Sequence, residues 1–186
     1  MAAACVARGV AGEAIAQSPC LRILREGEPV DLALVDVVSY KGGTGARAVW
    51  QVEHVRQVIT TRWTPGTIGL SAIAGYAGLT PPVPEVGLAL TLGNGSRTVL
   101  APIAPGLVQP VDVSDHRWLA HGEMVRAAPV PCVLALDGER ELALRRGMLV
   151  DVQFDRHGPF VVHAQRALEL GVAHGLFTMG TPDKHL

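Results

Sequence analysis

The sequence is short of aromatic residues, of cysteines at ligand spacing, of long apolar runs and of any charge excess, and each shortage removes a class of protein. Phe, Trp and Tyr make up only 4% of its 186 residues, against 21 Gly and 13 Pro. That balance favours many short elements joined by tight turns over long helices. Lys and Arg number 16 and Asp and Glu 17, for a formal net charge of -1. Such a surface has no long-range field to gather nucleic acid or an anionic membrane, so neither is expected as a partner. Cys5, Cys20 and Cys132 are odd in number and far apart, without the CxxC or Cys/His spacing of a zinc site. A reducing cytoplasm suits them best. No run of about 18 uncharged apolar residues exists to span a bilayer. The opening "MAAACVARGVAGEAIA" is interrupted by Arg8 and Glu13 and lacks the basic start and apolar core of a secretory signal.

What is present is mostly strand pattern, in a length that suits one buried core and a single soluble domain. "DLALVDVV" (31–38) is apolar and β-branched enough for a buried strand, and "RQVITTRW" (56–63) alternates like another. "VGLALTLGNGSRTVLAP" (86–102) predicts a hairpin turning at Asn94 and Gly95. "VQPVDVS", "PCVLALD", "RELAL", "LVDVQFD" and "FVVHA" follow. Short strands at this spacing predict an antiparallel sandwich or layered sheet. The three prolines of "LAPIAPGLVQPVDV" (100–113) mark an edge or a connection, because proline cannot complete a ladder. Two segments depart from the pattern. "TIGLSAIAGYAG" (67–78) is a close-packed helix or a loop whose backbone approaches something closely, and 164–177 has helical spacing despite Gly171. Residues 1–29 stand outside the strand series as a helix-like stretch and a leading strand. The β domain is then expected over 30–180, with 181–186 a frayed tail.

In "LALDGERE", Asp137-Gly138 sits between apolar runs and predicts a two-residue hairpin turn that needs positive φ at both positions. The turn leaves the following charges, Glu139, Arg140 and Glu141, unexplained. "YKGGTGARAVW" (40–50) is glycine-rich, but Lys41 precedes the glycines, so it lacks the phosphate-loop order and is expected to be a connecting turn. The histidines form no HExxH, and Ser71 in "GLSAIAG" lacks the GxSxG spacing of a hydrolase elbow.

Taken in order, "LALVDVV", "GTIGLSAIAGYAGLTPP", "APIAPGLVQPVDV" and "VLALDGERELALRRGMLVDVQ" resemble the C-terminal half of the NAD kinase-like superfamily, and most of all its branch named for acetoin-catabolism protein X. The resemblance implies an α+β, mainly β fold: a β-sandwich or layered antiparallel sheet with a small-residue helix and a C-terminal helix. It places Asp36 at the family's acidic strand position, with Val35 where the family has Asn. It puts Gly69 and Ser71 in the small-residue segment lining a nucleotide cleft, and Asp137, Gly138 and Glu139 in the Asp-Gly-Glu loop. Glycines there permit close approach of a ribose or phosphate, and carboxylates can accept ribose hydroxyls or hold magnesium through water. The implied ligands are NAD or NADP, and ATP with Mg. No catalytic or metal-ligating residue is assigned. The family's Gly-Gly-Asp-Gly-Thr phosphate loop belongs to an N-terminal α/β half that these residues do not match, and "KGGTGAR" lies downstream and lacks the Asp. The expectation is therefore nucleotide binding without kinase activity in isolation, with a homodimer or a separate N-terminal α/β subunit as partner. The alternative is an assembly module with no ligand of its own.

Overall fold

The computed structural model describes residues 1–41 and 51–178. These divide into two compact units, Met1–Ser18 with the residues from Pro159 onward, and Pro19–Gly158. Neither the single core nor a boundary at residue 29 anticipates this division: the two ends of the sequence pack on each other, and "CLRIL" joins the β unit.

In the terminal unit, α1 (Ala2–Ala7) packs on α3 (Ala164–Ala173). The cluster buried in this unit is made of small side chains, Cys5, Ala11, Ala14 and Ala167. A Cβ on Gly171 would come within 2.7 Å of the Cys5 sulfur, so glycine allows the close helix approach. Strands β1 (Ile15–Gln17) and β12 (Phe160–Val162) form an antiparallel two-stranded ribbon in the same unit.

The larger unit is a sandwich. In chain order its strands are β2 (Cys20–Arg25), β3 (Glu28–Ala33), β4 (Asp36–Tyr40), β5 (Val55–Thr60), β6 (Gly87–Ala104), β7 (Leu107–Leu119), β8 (Met124–Arg126), β9 (Cys132–Leu136), β10 (Arg140–Leu144) and β11 (Val150–Asp155). A six-stranded antiparallel sheet runs β10-β9-β4-β5-β6-β7, and a four-stranded one runs β3-β2-β11-β8. Leu21, Ile23, Val37, Ile59, Leu134, Leu136, Val152 and Phe154 join the two sheets in one core. The opposite face of the larger sheet buries Val38, Tyr40, Val58, Leu88 and Leu90 with Leu70, Ile73 and Ala74 of the segment containing α2 (Ala72–Tyr76). A strand buried on both faces loses its alternation. "DVVSY" and "VRQVIT" are buried along nearly their whole length for that reason, polar residues included.

Several expectations need correction. Residues 31–38 are not one strand: the chain leaves β3 at Ala33 and enters β4, in the other sheet, at Asp36. Asn94-Gly95 is not a hairpin turn either. Strand β6 continues through it, with Leu92 and Arg97 both opposite Val113, so the positive φ of Gly93 and Asn94 serves a bulge. The reversal comes at Pro105-Gly106 between β6 and β7. Pro110 does lie on an edge strand, β7. The segment 67–78 is loop as far as Ser71 and helix only over Ala72–Tyr76. The glycine-rich stretch 42–50 and the tail 181–186 lie outside the described residues. All three cysteines are buried and free. Among the described residues no helix is long and apolar enough to cross a membrane.

Candidate ligand cleft

The crossing from β3 to β4 leaves three successive backbone N–H groups, those of Leu34, Val35 and Asp36, without ladder partners. One carboxylate takes all three. Asp137 accepts from Leu34 at 2.9 Å, Val35 at 2.7 Å and Asp36 at 3.2 Å. It can do so because Asp137 and Gly138 have φ of 53° and 71°, the two-residue turn that "DG" predicts, which swings the side chain back over the crossing. The carbonyls of the same crossing are also engaged. Thr61 Oγ1 donates to Leu34 at 2.7 Å and Thr60 Oγ1 to Val35 at 3.0 Å. Residues 34–36 are therefore a pinned wall.

The opposing wall is Ile68–Ser71. Gly69, at φ +119°, donates its N–H to the Pro102 carbonyl on β6 at 3.0 Å. Few residues other than glycine tolerate that backbone. Ser71 then opens α2 beside Asp36, and its hydroxyl and backbone N–H favour the ionised form of that carboxyl. Between the walls lies a cleft of about 270 Å³, lined by Val35, Asp36, Val38, Ile68, Gly69, Leu70, Ser71, Ala135, Asp137 and Gly138.

Half-buried Asp36 carries the tension of this site. Burial, reinforced by the neighbouring negative charge of Asp137, pushes its carboxyl up to about 6 against the opposing pull of the Ser71 donors. A carboxyl held near neutrality in a cleft marks a functional site more often than a surface acid does.

The fold thus brings together Asp36, Gly69, Ser71, Asp137 and Gly138. Glu139 is exposed and outside the lining. The charge density of "DGERE" has a structural cause in Arg140, whose guanidinium holds Asp31 and donates to the Leu32 carbonyl at 2.5 Å, fastening β10 to the end of β3. Asp137, with its oxygens committed to backbone, is a fastener of the cleft wall, and Asp36 is the other acid of the lining. Thr60, Thr61 and the three N–H groups were missed in the sequence, since nothing in "VITT" or "ALVD" announces a strand crossing. A larger hollow of about 480 Å³, lined by Glu53, Arg56, Asn94, Gln109 and Asp112 among others, contains none of the six sequence candidates. Among the described residues no group of three or more His, Cys, Asp or Glu is placed to hold a metal ion.

The described residues thus form a two-sheet antiparallel module with a pinned acidic cleft on the outer face of its larger sheet. Residues 19–157 match the family model for the acetoin catabolism protein X C-terminal domain, and the chain belongs to that family. Acetoin catabolism protein X of Cupriavidus necator (strain ATCC 17699 / DSM 428 / KCTC 22496 / NCIMB 10442 / H16 / Stanier 337) is 43% identical over 117 residues, covering 61% of this chain and 33% of that protein. The chain spans about a third of the length of this relative.

Proposed function

We propose that the cleft binds the sugar or ring portion of a nucleotide, with NAD the first choice, as one half of a site whose phosphate-binding charges lie elsewhere. The observation that carries this is the Asp36–Ser71 pair. A half-buried carboxylate that burial disfavours keeps lone pairs open to a cleft floored by glycine and small side chains, which suits the vicinal hydroxyls of a ribose. The lining contains no Lys, Arg or His. A phosphate would meet two carboxylates there and no counterion, so neither ATP with Mg nor the extra phosphate of NADP is favoured in this cleft. Size agrees: at about 270 Å³ the cleft is below the roughly 300–1,000 Å³ of pockets that enclose a whole drug-sized ligand. It admits one ring of a dinucleotide. Asp36 would orient the hydroxyls, Ser71 would fix Asp36, and the pinned 34–36 wall would hold both without reorganisation. Phosphoryl transfer needs charge neutralisation that these residues do not offer, so the chain by itself is read as a binding module serving acetoin catabolism, the role in its relative's name.

The test is a thermal-shift titration of the chain with NAD, NADP and ATP, each with and without Mg. A ligand of the native state at about 100-fold over its Kd adds about 2.7 kcal/mol. NAD should give a saturable rise that Ser71→Ala abolishes. No shift with any nucleotide would overturn the proposal.

A further inference from the structure

The β1–β12 ribbon contributes no residue to the lining of the cleft. Its two strands are three residues each and form a sheet of their own. A two-stranded sheet of that size is barely stable unless something else covers it. Ile15 pairs with Val162 and Gln17 with Phe160, so these four side chains share one face. On that face Phe160 is 72% exposed, Val162 40% and Ile15 38%.

The backbone is open on the same strand. His163 donates its N–H to Ala14 at 2.8 Å and Ser18 donates to Pro159 at 3.0 Å. Bonded and non-bonded pairs alternate in an antiparallel ladder. Phe160 and Val162 therefore direct their N–H and C=O groups away from β1, and among the described residues nothing pairs with them. Proteins usually blunt a free edge with charge, proline or a bulge. "FVV" has none of these within it.

We propose that β12 is a docking edge: an extended apolar segment from the part of an acetoin catabolism protein X that precedes the matched domain adds as a strand along Phe160–Val162 and covers the Ile15, Phe160 and Val162 face. Two facts single out this occupant over a second copy. The matched domain, 19–157, stops short of both strands, so the ribbon is built from sequence that flanks it on each side. The relative carries most of its length beyond the stretch shared with this chain, and the matched domain is described as C-terminal. The mode is strand addition, in which main-chain hydrogen bonds provide affinity and alternate side chains provide selectivity. It does not depend on what the cleft binds.

The experiment mixes the chain with the preceding part of the Cupriavidus necator relative, supplied both as one polypeptide and as overlapping synthetic peptides, and follows amide hydrogen exchange. The expected result is a saturable complex that slows exchange at Phe160 and Val162 by about 10-fold or more. Phe160→Asp, which charges the apolar face, and Val162→Pro, which deletes an outward N–H while leaving the β1 pairing in place, should each weaken the complex about 10-fold with the exchange of the β-sandwich unchanged. Failure of both forms of the probe to bind, or binding indifferent to both variants, overturns the proposal. Protection that grows with the chain's own concentration, without the probe, overturns it in favour of self-association.

Discussion

Asp36→Asn is the most informative single substitution, because the account makes the wild-type charge a burden on the fold. Burial and the Asp137 charge raise the Asp36 carboxyl to about 6. Each pH unit between the usual aspartate value and 6 corresponds to about 1.36 kcal/mol, so ionising this group in the folded state costs up to about 3 kcal/mol. Solvent reaching a half-buried group lowers that to about 1.5–3 kcal/mol. The sign follows from the direction. A carboxyl raised on folding contributes stability that is fully present below its unfolded value and is lost as pH climbs through about 6. Wild-type stability should therefore fall between about pH 4 and pH 6.5. Asparagine retains an oxygen for the Ser71 donors and carries no charge, so the variant should lack that fall and exceed the wild type at about pH 7 by about 1–3 kcal/mol, or about 3–9 °C in Tm. Urea denaturation of both proteins across this range measures it. A variant less stable than the wild type at about pH 7, or parallel pH profiles, would refute the reasoning. The same substitution should weaken NAD binding, the usual trade between stability and function at a site.

Other consequences follow from the same geometry. Asp137→Ala strands the three N–H groups of residues 34–36 and should lower stability by about 3–5 kcal/mol in urea denaturation; a loss below about 1 kcal/mol would remove its role as fastener. Gly75→Ala would set a Cβ 2.7 Å from the Thr64 carbonyl carbon and 2.8 Å from its oxygen, costing about 1–3 kcal/mol by thermal melt because backbone yields poorly. Glu139→Ala, at an exposed position outside the cleft, should leave stability within about 0.5 kcal/mol and NAD affinity unchanged by calorimetry. NAD affinity in the wild type should rise from about pH 5 to pH 7.5 as Asp36 ionises, since hydroxyl donors bond more strongly to a carboxylate than to the neutral acid.

Much of this architecture was legible because turn chemistry and strand composition act locally. Asp137-Gly138 announced its hairpin, the proline of "VQPVDV" its edge strand, and the spacing of 164–177 its helix, which ends at Ala173. The errors share a physical cause. Asn94-Gly95 has the same local preference for positive φ whether a chain reverses or bulges, and only the length of ladder across β6 and β7 decides between them. In "DLALVDVV" a crossing between sheets looks like one strand, because Leu34 and Val35 are as apolar as their neighbours; their hydrogen bonds go to Asp137, about a hundred residues away in sequence. The cleft was half legible for a related reason. Family resemblance pointed to Asp36, Gly69, Ser71, Asp137, Gly138 and Glu139 alike, but the division of labour between the two acids depends on where each carboxylate points, and that Glu139 lies outside the lining is visible only in three dimensions.

Amide chemical-shift mapping with NAD tests most directly the proposal that the Asp36–Ser71 cleft holds part of a nucleotide. The prediction is saturable shifts concentrated at Gly69, Leu70, Ser71, Asp36 and Gly138, lost in Ser71→Ala. Saturable shifts centred instead on the hollow beside Arg56 and Asn94, or none at millimolar NAD, would contradict it.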